Sequence, residues 1–548
     1  MRSKIISSLE KCFLDDRFGA FRELAEDSML KNEIYSFQVC YDLEAVAQDK
    51  QIVHFHVESP LADVVTLYQV KSIPSLLPGP QGSHDGNYLR TEPGLYPDLL
   101  EPITPRTRLP VHSILQAVWV EIDPRDTVPA GAYPVDCVFT DEQGEEVARN
   151  QLMLRILDAR LPEQQLIYTQ WFYTDCLMQY YGTEAFDEKH WQIIENFMGN
   201  ARKYGMNMIL TPVLTPELDT YVGGERPTTQ LVDVYLENGT YRFDFSKLGR
   251  WVDLCDRVGI TYLEINHFFS QWGATACPKV MATVDGAYTR IFGWDTPSDA
   301  DAYREFLYTL IPAMLDFLKA KNRADKRCFF HISDEPNEAH LEQYRKVSRM
   351  IAPLVEGYPV IDALSHYSFY EQGIVKKPIP STYRIEPFLE NKVPNLWCYH
   401  CGESQYISNR FFSMPSARTR ILGIQLYKFQ IEGFLHWGYN FYNNQFSYHT
   451  VNPFLCSDGE FFSASGNTYS VYPGMDGQPW PSLRQVVFHE GLQDLRLLML
   501  CQQLLGRQRT MEILEAGIAP ITFKQYPKEA TWLLELRSRL HMAIAETP

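Results

Sequence analysis

LIYTQW at Leu166–Trp171, KHWQIIENFMGNARKY at Lys189–Tyr204 and MNMILTPV at Met206–Val213 decide the fold class. The first and third segments are short apolar runs typical of buried strands, and the second has the apolar spacing of an amphipathic helix. This order of strand, helix and strand predicts a parallel sheet. A doubly wound open sheet usually has a glycine-rich phosphate loop after its first strand. Phe172–Cys176 (FYTDC) contains no glycine, so we expect a (β/α)8 barrel.

The alternation of strands and helices continues to about residue 440. About eight such units over roughly 330 residues are the size of a (β/α)8 TIM-like barrel with enlarged loops. The further predicted helices are Leu248–Val258, Ala302–Ala320, Leu341–Val355 and Met414–Phe429, and the further predicted strands are Thr261–Phe268, Arg327–Ser333, Pro359–Leu364, Asn395–His400 and Gly433–Asn440.

The segments on either side of the barrel differ from it. Gln51–Glu58 (QIVHFHVE) and Leu115–Ile122 (LQAVWVEI) alternate between apolar and polar residues, which predicts an antiparallel β-sandwich. Pro74–Pro110 is rich in proline and glycine, and we expect a long irregular connection there. The tail is helical over Leu483–Leu505 and Trp532–Ile544. We predict a β-sandwich at 1–160, a catalytic barrel at 161–500 and a C-terminal helical segment at 501–548 packed on the barrel.

Composition excludes several classes of function. Of the 548 residues, 45% are hydrophobic and 22% are charged, which indicates a packed globular protein. The net charge of −18 repels phosphate backbones and anionic lipids, so we expect neither nucleic acid nor a membrane as a partner. Met1–Glu10 has no apolar core typical of a signal peptide, so we expect a cytoplasmic location. The sequence leaves the oligomeric state open.

The cysteines predict reduced thiols. The chain has 11 of them, and only Cys398 and Cys401 form a C-x-x-C pair. No second pair or histidine follows at the spacing of a zinc site. We therefore expect no metal and no other cofactor.

Two adjacent acids follow the strand predicted at Arg327–Ser333. Asp334 and Glu335 are costly beside a buried strand unless they are used or paired. In a barrel, the carboxyl ends of the strands carry the active site, so both acids are catalytic candidates. Pro336 is expected to hold Glu335 extended. The alternative is that Asp334 or Asn337 caps the following helix.

Aromatic and neutral polar residues follow the other predicted strands. Rings stack on the C–H faces of sugars, while amides and imidazoles bind hydroxyl groups, so such a mouth suits an uncharged polyol. The predicted substrate-binding residues are Trp171, Asn266, His267, His366, Tyr367, Tyr399, Trp437, Tyr439 and Asn440.

Several motifs together resemble the glycoside hydrolases of family 123 and the related domain-of-unknown-function 4091 proteins. The similarity spans nearly the whole chain. The motifs are HISDEP at His331–Pro336, EGFLHWGYN at Glu432–Asn440, YPGMDG at Tyr472–Gly477, SLR at Ser482–Arg484, EGLQD at Glu490–Asp494, and, near the N-terminus, YPDLL at Tyr96–Leu100 and PAGAY at Pro129–Tyr133.

The resemblance implies a retaining exo-β-N-acetylhexosaminidase that prefers GalNAc and acts on glycans with a terminal β-linked N-acetylhexosamine. In such enzymes the carbonyl oxygen of the 2-acetamido group attacks the anomeric carbon. By position, Glu335 is the general acid/base and Asp334 orients the acetamido group. Tyr399 or Tyr367 is expected to hold the acetamido oxygen, and Trp437 to form a stacking platform.

The predicted strand ends offer an independent check of this mechanism. A conventional retaining glycosidase needs a second carboxylate about 5 Å from the first, and in many barrels it follows strand seven. The predicted seventh strand ends at Trp437–Asn440 without an acid, and Glu432 lies more than ~20 Å from the mouth. Glu403 could support a two-carboxylate mechanism. The third alternative, a non-catalytic carbohydrate-binding protein, has no need of a proton donor.

The side-by-side position of the two acids sets a structural condition. Neighbouring residues of a strand point to opposite faces. Asp334 and Glu335 therefore serve one ligand only if the strand ends or bulges before them.

Overall fold

The chain folds as a mixed α/β protein with an all-β N-terminal region. The computed structural model describes residues 1–43, 51–82, 85–323, 325, 327–402 and 406–547. The N-terminal strands are β1 Arg2–Ser7, β2 Glu26–Leu30, β3 Tyr35–Asp42, β4 Gln51–Glu58, β5 Val65–Ser75, β6 Gly94–Ile103, β7 Leu109–Val111, β8 Gln116–Ile122, β9 Gly131–Asp141 and β10 Glu146–Leu157.

These strands form two five-stranded sheets that share one core. Their orders are β1-β3-β8-β5-β6 and β2-β10-β9-β4-β7, with antiparallel neighbours except for the parallel pair β2 and β10. Period-two alternation puts Val39 and Val118 of the first sheet into the same apolar core as Phe55 and Phe139 of the second. The predicted strands at Gln51–Glu58 and Leu115–Ile122 correspond to β4 and β8.

The irregular connection expected at Pro74–Pro110 is wrong, because this segment contains β6 and most of β7. β6 is the edge strand of its sheet. An edge strand tolerates prolines because one side of it has no partner strand. Pro97 and Pro102 therefore interrupt the sequence pattern of β6 without preventing its pairing with β5.

Among the described residues of the second half of the chain, three sheets are entirely parallel. They have the orders β11-β22-β21, β12-β15-β18 and β19-β20, and a separate four-stranded sheet has the order β14-β13-β16-β17. The strands of this half are β11 Ile167–Gln170, β12 Met208–Thr211, β13 Asp233–Glu237, β14 Thr240–Asp244, β15 Tyr262–Ile265, β16 Val280–Val284, β17 Ala287–Phe292, β18 Cys328–Phe330, β19 Ile361–Ala363, β20 Lys377–Ile379, β21 Trp397–His400, β22 Gly433–His436, β23 Val471–Pro473 and β24 Pro479–Pro481.

Single contacts join the parallel sheets to one another. Parallel bridges pair Phe330 with Val360 and Ser381 with Tyr399, which link β18 to β19 and β20 to β21. Beside β12, the Asn207 N–H donates to the carbonyl oxygen of Tyr168 in β11 at 3.1 Å. The parallel strands therefore follow one another in space in chain order, and their carboxyl ends lie at the same edge.

The predicted series omitted β20, which changes the numbering of the later strands. β20 is three residues long, and Pro378 and Pro380 obscure any pattern there. With β20 counted, β21 is the seventh strand of the three parallel sheets and β22 is the eighth. The expectation that the seventh strand ends in Trp437–Asn440 is therefore wrong. Glu403, which follows β21 in the sequence, lies outside the described residues.

The predicted helices are present, with one exception. The helix expected at Met414–Phe429 is divided into two short helices. Within the described residues, none of the helices combines the length and apolar character that spanning a bilayer requires. The helices are α1 Thr174–Tyr181, α2 Glu188–Lys203, α3 Ser246–Val258, α4 Asp301–Ala320, α5 Leu341–Ile351, α6 Ser368–Glu371, α7 Glu386–Glu390, α8 Ser416–Arg420, α9 Leu422–Lys428, α10 Leu483–Leu505, α11 Arg507–Leu514 and α12 Ala530–Ala545.

A buried ion pair joins the N-terminal sheets to α10. Arg484 donates from Nε and Nη2 to the two carboxylate oxygens of Asp98 in β6 at 2.7 and 2.9 Å. The Tyr472 hydroxyl donates to the same carboxylate at 2.5 Å. Arg420 of α8 likewise pairs with Glu490 and Asp494 of α10. The acids and bases of the YPDLL, SLR and EGLQD motifs therefore hold the parts of the chain together.

Candidate active site

A cavity of about 260 Å3 opens at the carboxyl ends of the parallel strands. Aromatic rings form much of its wall, and two of the polar residues are the adjacent acids that follow β18. The aromatic lining residues are Trp171, Tyr173, Trp272, Tyr399, Trp437 and Phe462, and the main polar ones are Asp219, Gln271, Asp334, Glu335, Ser463 and Asn467.

The backbone turns sharply at the two acids. β18 ends at Phe330, well before Asp334, and Glu335 has a φ of +41°. The Glu335 N–H donates to the carbonyl oxygen of Ala363 at 3.0 Å, and the Asp334 carbonyl accepts from the Trp272 N–H at 3.0 Å. The extended Glu335 expected from Pro336 is therefore wrong. The left-handed turn, strained by roughly 1–2 kcal/mol, brings both carboxyl groups into one cavity.

Helix capping does not explain the Asp334 side chain. Asn337 caps the turn at Glu338–His340, since its side-chain oxygen accepts the Ala339 N–H at 3.0 Å. Asp334 instead lines the cavity beside Glu335. The cap and the candidate acids are therefore separate residues.

Tyr399 at the end of β21 holds Glu335 in place. Its hydroxyl donates to Glu335 Oε1 at 2.6 Å. Burial and the neighbouring Glu335 raise the pKa of Tyr399 well above its ordinary value, so the phenol remains a hydrogen-bond donor. Burial, followed by the charge of Glu335, also raises the pKa of Asp334 well above its ordinary value. Because the two acids are adjacent and line the same cavity, they titrate together. The pair therefore retains a proton at a pH where separate carboxyl groups have lost theirs.

A charged layer lies beneath the cavity. His331 interacts through Nε2 with Glu264 at 2.7 Å and through Nδ1 with Asp362 at 3.3 Å. Burial alone lowers the pKa of His331, but the hydrogen bonds to Asp362 and Glu264 outweigh it and raise the pKa to about 9. The Trp171 indole N–H donates to Glu264 at 2.9 Å, which fixes one wall of the cavity.

One group of buried side chains in the described residues has the donor atoms of a metal site. One donor atom each from His267, His331 and Asp362 lies within 4.8 Å of the others. Both ring nitrogens of His331 already interact with carboxylates, so His331 and Asp362 belong to the charged layer, while His267 packs beside them.

The structure brings only part of the predicted substrate-binding set into the cavity. Trp171, Tyr399 and Trp437 line it together with the two acids. Tyr439 instead donates its hydroxyl to the Phe197 carbonyl at 2.9 Å. Trp437 and Tyr439 differ in this way because β22 ends at His436, after which the chain leaves the sheet.

Two buried asparagines support the cavity from behind. Asn440 accepts the Tyr173 N–H and donates to the Tyr173 carbonyl, both at 2.9 Å. Asn266 accepts the Leu214 N–H at 3.0 Å. These amides satisfy the backbone of loops that line the site, and neither residue is among the described lining residues.

The predicted histidines and Tyr367 also lie outside the cavity lining. His267 is buried and stacks on His331 with ring centroids 4.2 Å apart. Burial, followed by the charge of His331, lowers the pKa of His267 well below its ordinary value. Tyr367 packs edge-on against Phe388 at 5.2 Å, and His366 lies beside it in the chain, partly exposed.

Residues on long loops complete the cavity and were not predicted. Asp219 is the clearest case, with the Phe446 N–H donating to its carboxylate at 3.0 Å. Burial raises the pKa of Asp219 to about 6, against the opposing effects of Arg226 and of the Phe446 N–H. Gln271, Trp272, Phe462, Ser463 and Asn467 were missed for the same reason. Irregular loops have no periodicity that could have placed these residues.

The comparison with protein families identifies the class of this protein. A family model described as the catalytic domain of glycoside hydrolase 123 matches residues 171–501. With two adjacent acids in a cavity rich in aromatic residues, the protein is a glycoside hydrolase. The chain belongs to glycoside hydrolase family 123. Among curated proteins, none matches this sequence.

The fold is similar to that of a family 123 glycoside hydrolase from Clostridium perfringens. The TM-score is 0.72 at 12% identity, over 99% of this chain and 97% of the other. A β-glucuronidase from Parabacteroides merdae matches with a TM-score of 0.32 at 11% identity, over 84% and 51% of the two chains. A family 5 mannosidase from Rhizomucor miehei matches with a TM-score of 0.33 at 13% identity, over 62% and 96%. The first match supports a common fold.

Proposed function

We propose that the protein is a retaining exo-β-N-acetylhexosaminidase that prefers GalNAc and uses the 2-acetamido group of its substrate as the nucleophile. The observation that supports this most is the shared cavity of Asp334 and Glu335, with the Tyr399 hydroxyl donating to Glu335 at 2.6 Å. Asp219 is the only other carboxyl group among the described lining residues. Membership of family 123 agrees with this proposal.

The chemistry assigns one role to each acid. The acetamido carbonyl oxygen attacks the anomeric carbon while Glu335 gives its proton to the departing glycosidic oxygen. This step breaks the glycosidic bond and forms an oxazolinium ion, which keeps its N–H. Glu335 then takes a proton from water, which attacks the same carbon and opens the ring with overall retention. Asp334 accepts the acetamido N–H and stabilises the positive charge that develops on the amide.

Substrate binding can place the shared proton. A hydrogen bond from the acetamido N–H favours the charged form of Asp334, since hydrogen bonds to a carboxylate lower its pKa. The proton of the pair then resides on Glu335, where the leaving group needs it. Without an acetamido group, this redistribution does not occur.

The wider arrangement is also part of the proposal. We propose that the eight parallel strands close into one (β/α)8 barrel spanning 161–500, with a sandwich domain at 1–160 and a helical segment at 501–548. Trp171 and Trp437 would stack on the sugar face. A glycan with a terminal β-linked N-acetylhexosamine would be the partner, in the cytoplasm. The Clostridium perfringens relative is described in connection with glycolipid glycan hydrolysis, and glycans of that class are suitable trial substrates.

The test uses 4-nitrophenyl glycosides of both epimers and both anomers. We expect release of 4-nitrophenol from β-GalNAc and slower release from β-GlcNAc. Glu335→Gln and Asp334→Asn should each lower kcat by about 10²- to 10⁴-fold, whereas Asp219→Asn, the matched carboxyl control, should have a smaller effect. A thiazoline analogue of the oxazoline should inhibit. Equal cleavage of 2-hydroxy and 2-acetamido sugars would contradict substrate assistance.

A conventional two-carboxylate mechanism is the alternative, with Glu403 as the nucleophile. It is favoured by the position of Glu403 in the sequence, since this residue follows the seventh parallel strand. Loss of activity in Glu403→Gln, together with covalent trapping by a 2-fluoro sugar, would establish it. Binding of glycans without hydrolysis of any aryl glycoside would instead indicate a non-catalytic carbohydrate-binding protein.

A further inference from the structure

Four aromatic side chains lead from the cavity to the protein surface. We name Trp272, Phe446, Tyr448 and Tyr221 the aromatic ridge. The ring of Trp272, which lines the cavity, meets Phe446 edge-on at 5.5 Å, and Phe446 meets Tyr448 at 6.2 Å. Tyr448 stacks on Tyr221 with ring centroids 4.6 Å apart. The ridge therefore continues the aromatic wall of the cavity outward.

The ridge is exposed to an unusual degree for aromatic residues. Tyr448 is 61% exposed, and Trp272 and Tyr221 are each 38% exposed. Because Tyr221 covers one face of the Tyr448 ring, this exposure leaves the opposite face open. Exposed apolar area that continues a binding cavity indicates a ligand surface.

Hydrogen bonds between two loops hold the ridge in position. The Phe446 N–H donates to the Asp219 carboxylate at 3.0 Å, and the Tyr221 N–H donates to the Phe446 carbonyl at 3.1 Å. The Ser447 hydroxyl donates to the Asp219 carbonyl at 2.7 Å. Phe446 and Ser447 have φ values of +58° and +54°, a conformation that non-glycine residues adopt at a cost.

A buried arginine anchors this arrangement from below. Arg226 pairs with Asp175 at 2.7 Å and donates from Nη1 to the Ser447 hydroxyl at 2.9 Å. It also donates to the Leu218 carbonyl at 3.0 Å. The strained turn that presents Phe446 and Tyr448 is thus fixed before any ligand arrives, which reduces the ordering cost of binding.

We propose that the aromatic ridge binds the neutral sugar units on the leaving-group side of the substrate. This inference rests on the proposed function, because an exo-acting enzyme encloses the terminal sugar and leaves the rest of the glycan outside. Trp272 adjoins the catalytic pair, since its N–H donates to the Asp334 carbonyl at 3.0 Å. The glycan beyond the cleaved bond therefore leaves the cavity over Trp272 and reaches Tyr448. Flat rings with a hydroxyl group at one end suit sugar faces.

The test compares two substrates with the same terminal sugar in the Tyr448→Ala variant. One is the 4-nitrophenyl β-glycoside, which has no sugar beyond the cleaved bond, and the other is a neutral tetrasaccharide. We expect kcat/KM on the tetrasaccharide to fall about tenfold, while kcat/KM on the aryl glycoside stays within twofold. Tyr448→Phe keeps the ring and should restore most of the activity. Tyr288→Ala removes a tyrosine of similar exposure, 64%, and should change neither value.

Two outcomes would overturn the proposal. One is an equal loss on both substrates, and the other is an unchanged kcat/KM on the tetrasaccharide. A wild-type protein that cleaves neither substrate contradicts the proposed function instead. In that case, calorimetric titration of the tetrasaccharide into Glu335→Gln, with and without Tyr448→Ala, still tests the ridge, and equal affinities of the two proteins would refute it.

Discussion

At the scale of single residues, the φ of +41° at Glu335 determines what the adjacent acids can do. In an extended chain, Asp334 and Glu335 would point to opposite faces. The left-handed turn removes this conflict, and Tyr399 fixes the resulting position of Glu335 with a hydrogen bond of 2.6 Å. The resemblance suggested an acetamido contact for Tyr399, whereas the structure gives it a contact with the acid.

We expect Tyr399→Phe to reduce kcat about tenfold and to shift the pH profile. The hydroxyl donates to Glu335 and thereby favours its carboxylate form. Its loss should make Glu335 hold its proton more strongly, so the alkaline limb of kcat/KM moves to higher pH. The profile is measured with the aryl glycoside between pH 4 and 9. A tenfold loss with an unmoved alkaline limb would indicate that Tyr399 contacts only the substrate.

At the scale of elements, the long loops after the parallel strands provide many of the side chains that line the cavity. The loop after β12 carries Asp219 into the cavity and also contains Glu217, which is buried. Glu217 accepts the Lys279 N–H at 2.9 Å through one oxygen, and the other oxygen is buried with no hydrogen-bond partner in the described part of the chain. Burial raises the pKa of Glu217 to about 7.

We expect Glu217→Gln to stabilise the protein at pH 8 but not at pH 4. A carboxyl group whose pKa is raised by folding favours the folded state at low pH. This contribution is lost as the pH rises from the ordinary value of 4.5 through about 7. The amide removes the penalty of about 3 kcal/mol above pH 7 and keeps an acceptor for Lys279. Denaturant unfolding of the variant and the wild type at both pH values measures the difference in their free energies of unfolding, and the difference at pH 4 is the control. Equal differences at both values would contradict the assignment.

At the scale of the whole molecule, buried ion pairs connect segments that are far apart in the chain. Asp98 and Arg484 are each about 1% exposed, and their pair joins β6 to α10. A second connection runs from Arg537 of α12 to Glu33 near β2 at 2.6 Å. Asp98 of YPDLL and Arg484 of SLR therefore contribute to the assembly of the molecule.

We expect Asp98→Asn to destabilise the protein by about 3–5 kcal/mol, because it removes the negative charge that pairs with the buried Arg484 guanidinium. Glu101→Gln is the matched control in the same strand. Its ion pair with Lys71 lies at the surface, and its loss should change stability by less than about 1 kcal/mol. Thermal and urea unfolding measure both variants. Similar losses for the two would show that burial of the Asp98 pair has no special effect.

The sequence by itself determined the class of fold, the main helices and the adjacent acids. These depend on local properties: apolar periodicity in α2 and α4, short buried runs in β11 and β12, and two carboxyl groups directly after an apolar strand. Prolines hid β6 by interrupting its alternating pattern, and they hid β20 because only three residues of that strand remain to form a pattern.

Only the tertiary structure decided which side chains share the cavity. Trp171, Tyr399 and Trp437 reach it, whereas Tyr439 and Asn440 turn away once β22 ends at His436. Asp219 and Trp272 reach it from loops whose course depends on hydrogen bonds to residues distant in the chain. The physical reason is that a strand end specifies an edge of the sheet, while the direction of each side chain beyond it depends on contacts that form only on folding.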